Sequence, residues 1–244
     1  MYNTLIYQPI LNTLLWLYQI TGSNLGLAII LLTLVIRVIL IPFTLPQLKS
    51  AKKMSALKPE LDALKKNHGH DAKLFQQKQL ELYKTHNINP VAGCLPFIAQ
   101  FIVLIALYQV FMNTLNGNGM GEINSAFFIW DLKGKDTTYI LPVLAGILQF
   151  IMSLAILPAV ENEPEKRPGT KEDKQDVAEM ATTMQQQMVF MMPIMTVIFS
   201  IQFPSGLALY WVITTAFSLV QQIIVSGPGA LLHYAKKYKL VKGS

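Results

Sequence analysis

The sequence predicts an all-α, polytopic membrane protein: five transmembrane helices around a hydrophilic groove, with an N-terminal interfacial helix and a cytoplasmic helical hairpin. Three observations carry this. The 244 residues are 52% hydrophobic and only 14% charged, against about 25% charged in a typical soluble domain. The charges sit in short segments between long uncharged runs. Lys and Arg then fall almost wholly on one side of the alternation that those runs define. At this length the chain makes one membrane domain, with no room for a second sizeable fold. A net charge of +6 would suit nucleic acid, but its distribution reads as a topology signal, and no nucleic acid is expected as a direct substrate.

Residues 1–22 are apolar with one polar stripe, Thr4, Gln8, Asn12 and Gln19, at helical spacing. Pro9 interrupts the first turns. No basic leader or small-residue cleavage site is present, which argues against a signal peptide. An external amphipathic helix lying in the interface fits better. TGSN, 21–24, is a break with an N-cap. The first span, 23–46, has a core from Leu25 to Phe43; its 19 residues rise about 28 Å at roughly 1.5 Å each. Pro42 and Pro46 loosen its end. Residues 47–90 are basic. Met54, Leu57, Leu61 and Leu64 repeat at three or four, Phe75, Leu82 and Tyr83 more loosely, and NHGHD punctuates the middle. That pattern predicts the helical hairpin in water.

The second span is 91–115 and an external loop covers 116–138. The third span, 139–160, precedes a charged, Pro- and Gly-rich cytoplasmic loop, 161–186, which reads as flexible. The fourth span, 187–203, is short and holds Pro193; the external turn 204–206 joins it to the fifth span, 207–225, as an antiparallel hairpin. A cytoplasmic tail covers 226–244. Nine Lys lie in 47–90, and four Lys or Arg lie in each of 161–186 and 226–244, against only Lys133 and Lys135 on the other side. This positive-inside bias puts the N-terminus outside and the C-terminus in the cytoplasm of a bacterial cell membrane.

Arg37 is the one charge inside a span. A guanidinium keeps its proton at any reachable pH, so it cannot become neutral to escape hydrocarbon. None of the five spans contains Asp or Glu. Two readings stand: the side chain snorkels to the headgroups, or it faces a water-filled cavity. The rarity of intramembrane charge favours the cavity. Thr33 lies one turn before Arg37, Gln100 interrupts span two, and the pairs Gln149/Ser153, Thr196/Ser200 and Thr214/Ser218 are each four apart. Any one pair is explained by ordinary helix–helix hydrogen bonding. Polar faces on five helices together point to a shared groove. Met180, Met184, Met188, Met191 and Met195 form a stripe entering span four, which suits either packing or a pliable surface for apolar ligands.

The four histidines fall in aqueous segments, and HGH at 68–70 reads as a solvated turn rather than a metal site. The single cysteine, Cys94, excludes an internal disulfide and a multi-cysteine metal site. With no Ser–His or paired-carboxylate arrangement in the membrane, no enzyme activity and no cofactor are expected.

The stretches LTLVIRVILIPFTLPQLKSAKKM, NPVAGCLPFIAQFIVLIALYQVF and FPSGLALYWVITTAFSLVQQ resemble the YidC family of membrane protein insertases, across about residues 2–225. The resemblance implies five helices around a groove open to the cytoplasm and to lipid, with Arg37, Gln149 and Trp211 at the family's groove positions. It implies nascent membrane proteins as clients, with the ribosome, the signal recognition machinery and the secretion channel as expected partners, and substrate capture by the hairpin at about 49–86. With no large external domain or additional signal-anchor, the chain reads as the minimal five-span type, and its short tail puts strong ribosome docking in doubt. The groove set is then Arg37, Thr33, Gln100, Gln149, Ser153, Thr196, Ser200, Trp211 and Thr214, with Met184, Met188, Met191 and Met195 as hydrophobic contacts. The alternative is a channel or small-solute transporter with Arg37 as an anion site, against which the missing inverted repeat counts.

Overall fold

The computed structural model describes residues 3–68, 71–86, 88, 95–115, 123–156 and 177–228. The tail beyond 228, most of the loop 161–186 and the tip of the NHGHD segment lie outside those residues. After a π-helical turn, Asn3–Tyr7, the helices are α1 (Gln8–Ile20), α2 (Leu25–Ala56), α3 (Lys58–His68), α4 (Ala72–Thr85), α5 (Leu95–Leu115), α6 (Ile140–Ile156), α7 (Val177–Gln202) and α8 (Ser205–Ser226). A two-residue antiparallel ribbon, β1 (Ala126–Phe127) and β2 (Trp130–Asp131), precedes α6. Among the described residues, α2 over Leu25–Met54 and α8 over its whole length are long and apolar enough to cross a membrane. The apolar segments of α5, α6 and α7 are shorter, at Gln100–Asn113, Ile140–Ile156 and Val189–Gln202.

Local chemistry explains the boundaries. Pro9 sits at the start of α1, where its missing N–H costs nothing. Leu11, Leu14 and Leu17 make the buried side of α1, which packs on α2 and α5. The TGSN break holds Gly22 at φ +67° and Ser23 at φ +61°. Asn24 then caps α2, its Oδ1 accepting the Leu27 N–H at 3.0 Å. Asp71 caps α4 by accepting from the N–H groups of Lys73 and Leu74, both at 3.0 Å. Leu57, Tyr83 and Ile88 form a small separate core with Met54, Leu61 and Leu82, which holds α3 and α4 together. Leu64 and Phe75 stand outside it.

Two helices run further than the sequence predicts. α2 does not loosen at Pro42 or Pro46 but continues to Ala56. Each proline removes one backbone bond, and side-chain bonds tie the stretch around them to α8. Gln221 Nε2 donates to Thr44 Oγ1 at 2.8 Å, Ser226 Oγ to the Leu48 carbonyl at 3.3 Å, and Lys52 Nζ to the Val225 carbonyl at 3.4 Å. From Thr44–Gln221 to Leu48–Ser226 the pairs advance along both helices, so α2 and α8 run parallel. α7 begins ten residues before the predicted span, because VAEMATTMQQ has no glycine or proline and is rich in good helix formers.

The main core joins α1, α2, α5, α6 and α8. The segment 123–138 closes one end of it. Leu132 is fully buried there, its carbonyl accepts from the Gly206 N–H at 3.1 Å, and the Gly134 carbonyl accepts from the Ser205 N–H at 2.7 Å. The FPSG turn is thus held by a loop far away in sequence. Gly206 is required by contact: a Cβ there would lie 2.5 Å from the Phe111 ring and 3.1 Å from the Leu132 carbonyl oxygen. Gly206→Ala should therefore destabilise the fold by roughly 1–3 kcal/mol through overpacking, although alanine is the better helix former. Thermal unfolding in detergent would read this; an unchanged or raised Tm would contradict it.

Candidate functional site

Arg37 lies twelve residues beyond the start of α2, about 18 Å along the helix axis. It is half-buried, and its Nη2 donates to Gln100 Oε1 at 2.6 Å. Gln100 Nε2 in turn donates to the Tyr210 hydroxyl at 2.9 Å. The direction of this chain follows from chemistry. Arginine can only donate, so the amide oxygen of Gln100 must face it and the amide nitrogen must face Tyr210. Tyr210 accepts, leaving its own proton for another acceptor. α5 packs on α1 and α8 rather than along α2, so Arg37 and Gln100 meet through their long side chains.

The partner of Arg37 is neutral. A single hydrogen bond satisfies part of the guanidinium fork, which has five N–H donors, and leaves the charge uncompensated. Among the described residues no ion pair involves Arg37. An amide rather than a carboxylate opposite an intramembrane arginine keeps the positive potential available to whatever approaches.

The predicted groove residues divide. Arg37 and Gln100 are brought together. Thr214 is buried one turn beyond Tyr210, and Trp211, next to Tyr210, is half-buried. Thr33 is fully buried, its hydroxyl donating to the Ile29 carbonyl at 2.6 Å. Ser153 donates to the Gln149 carbonyl at 3.0 Å, and Ser218 to the Thr214 carbonyl at 2.9 Å. Those hydroxyls are spent on their own helices. Gln149 is half-buried on α6. Thr196 and Ser200 are buried on α7, and no hydrogen bond links them to Arg37; Ser200 Oγ has no partner. Met191 and Met195 are exposed beside Phe190, Ile194 and Ile198, an apolar outer face. The side chains of Met184 and Met188 lie outside the described residues.

The sequence reading named Thr214 and Ser218 but missed Tyr210 above them and Gln221 and Gln222 below. Tyr210, Thr214, Ser218, Gln221 and Gln222 descend α8 at three- and four-residue steps, a signal that was present. At the lower end of this polar seam, Gln47 and Gln222 are buried with side-chain carbonyls that have no partner among the described residues.

Asp136, at the opposite end, was also missed. It is buried, and Oδ1 accepts from the Thr138 N–H at 2.8 Å and the Thr138 hydroxyl at 2.5 Å, while Oδ2 accepts from the Leu141 N–H at 2.8 Å. Burial pushes its pKa up, but these hydrogen bonds outweigh it and hold the carboxyl below its ordinary range. The exposed Asp131 is also held low, chiefly by the hydrogen bond from Ser125.

Residues 16–229 match the family described as 60Kd inner membrane protein. The chain is 33% identical over 228 residues to the membrane protein insertase MisCA of Bacillus subtilis, covering 91% of this chain and 78% of that protein. It is 36% identical over 233 residues to the membrane protein insertase YidC 2 of Bacillus anthracis, covering 93% and 82%. A third relative, the membrane protein insertase YidC of Fusobacterium nucleatum, is 33% identical over 228 residues, covering 92% and 98%.

Proposed function

The chain belongs to the 60Kd inner membrane protein family, the family of the YidC insertases, and from that premise we propose that it moves short hydrophilic segments of client proteins through a positively charged groove and releases their apolar spans into the bilayer. The observation that carries this is Arg37: a permanent cation in an apolar helix, held by a neutral amide, with no acid in any apolar segment of the chain. The counter-charge is supplied by the client.

The physical problem is the cost of exposing polar backbone to hydrocarbon, several kcal/mol for each unsatisfied group. A hydrated groove reaching partway across shortens that path. Arg37 attracts acidic or polar residues of the translocated segment, more strongly than it would in water because the surroundings have a lower dielectric. The apolar span then slides out along the lipid-facing side, past α6 and α8, where Met184, Met188, Met191 and Met195 offer an adaptable surface. Gln149, Ser153, Thr196, Ser200 and Thr214 complete the groove wall in this reading. The N-terminus is outside, and α3, α4 and the C-terminus are cytoplasmic. The α3/α4 pair is positioned to receive nascent chains, with the ribosome, the signal recognition machinery and the secretion channel as partners. No step calls for a cofactor.

The test is reconstitution of the purified protein alone in liposomes, scored for insertion of a short single-span client. Insertion without any other protein supports the proposal. Solute or ion flux with no insertion would instead select a transporter.

A further inference from the structure

The segment closing the core displays two large apolar side chains in the wrong direction for a soluble loop. Phe128 and Ile129 form the tip of the β1–β2 ribbon and are 88% and 65% exposed. Phe128 also has φ +51°, and Tyr139, 54% exposed, has φ +57°. A bulky residue in the left-handed region is a strained backbone outlier. The strain is not relieved by burial, since both side chains point away from the protein.

The tip is held rigidly. Phe127 is buried against Gly26 at the start of α2. Tyr18 Oη accepts the Asn124 N–H at 2.9 Å, Ser125 Oγ donates to Asp131 Oδ1 at 2.6 Å, and Trp130 Nε1 donates to Thr138 Oγ1 at 3.1 Å. The last bond ties the ribbon to the residue before Tyr139, at the start of α6. From there the exposed apolar face of α6 continues through Ile140, Val143, Leu144 and Ile147. Lys133 and Lys135 follow the tip within a few residues.

We propose that the Phe128–Ile129 tip is a lipid-inserted foot that docks into the headgroup–acyl boundary of the outer leaflet and fixes how deeply the helices sit. Two features select lipid as the occupant. The tip continues the exposed apolar face of a helix read as spanning the bilayer. Aromatic residues with a polar edge, Trp130 and Tyr139, flank it as they do at membrane interfaces. The inference rests on the orientation given above, with this end outside.

The test uses the full chain with Cys94 replaced by Ser and a single new cysteine, either Phe128→Cys or Ile129→Cys, carrying an environment-sensitive fluorophore. The second variant leaves the strained Phe128 in place. The protein is reconstituted in phosphatidylcholine–phosphatidylglycerol vesicles containing lipids with a nitroxide at the headgroup, high on the acyl chain or near its end. Shallow nitroxides should quench both labels several-fold more than the deep one, and more than a label at Lys133→Cys. Equal, weak quenching at 128, 129 and 133 would overturn the foot, including the case in which a protein partner covers it. Sidedness is read separately, by a membrane-impermeant reductant added to one side. Shallow quenching on the cytoplasmic side would overturn the orientation rather than the lipid contact.

Discussion

Arg37→Ala should abolish most insertion of clients whose translocated segment is acidic, while neutral-tailed clients lose much less. Two unit charges about 4 Å apart at an effective dielectric near 20 attract by about 4 kcal/mol. Half of that, after desolvation and screening, corresponds to roughly thirtyfold in rate. Arg37→Lys should restore part of the effect, keeping the charge but losing the planar fork. The neutral partner gives a sharper version. Gln100→Glu is nearly isosteric and would place a carboxylate at the position now 2.6 Å from Nη2. It should depress insertion of acidic tails as Arg37→Ala does, although Arg37 remains. Initial insertion rates in proteoliposomes, compared between acidic and neutral tails, decide both. If Arg37→Ala inserts the two tails at wild-type rates, the electrostatic role is gone.

The second large effect is expected at the far end, from Asp136→Ala. The carboxylate accepts three hydrogen bonds in a buried setting, and its removal leaves the donors of Thr138 and Leu141 without it. Hydrogen bonds to a charged group are worth about 1.5–3 kcal/mol each and are not additive, so a loss of about 2–4 kcal/mol is expected in unfolding experiments. The pH dependence has a definite sign. A carboxyl held below its ordinary pKa stabilises the fold at pH above the unfolded value, and the contribution is lost as pH falls through the folded value. Wild type should therefore lose stability on acidification below the ordinary carboxylate range more steeply than Asp136→Ala. Trp130, bonded to Thr138, supplies the fluorescence signal; parallel acid profiles would sink this account.

Several features were legible in the sequence for identifiable reasons. Asn24 followed a glycine–serine pair and preceded an apolar run, and it caps α2. Arg37 stood out because nothing else in its span is charged. The Met54, Leu57 and Leu61 spacing found its core with Leu82 and Tyr83. The polar faces were less transparent. Thr33, Ser153 and Ser218 recur at four-residue spacing from another polar or groove position, yet each hydroxyl bonds a carbonyl of its own helix. Short hydroxyl side chains can satisfy themselves one turn back, so a polar stripe on paper need not present polar groups to a neighbour. Gln100 is different: its longer side chain reaches two other helices. Tyr210 escaped notice because an aromatic in an apolar run reads as lipid-facing, and the family pattern pointed to its neighbour Trp211. Asp136 sat in a loop, where sequence does not say which carboxylates become buried.

The unbroken run of α2 has a mechanical consequence. Its 32 residues make a strut of about 48 Å that links Arg37 to the α3/α4 pair. Pro42 and Pro46 remove two restraints of the helix ladder between those points, and the bonds from Gln221 to Thr44 and from Ser226 to Leu48 do not replace them. Compliance is therefore concentrated at one place. A load applied to α3 and α4 is expected to flex the strut near its prolines and to leave the segment bearing Arg37 in register with Gln100.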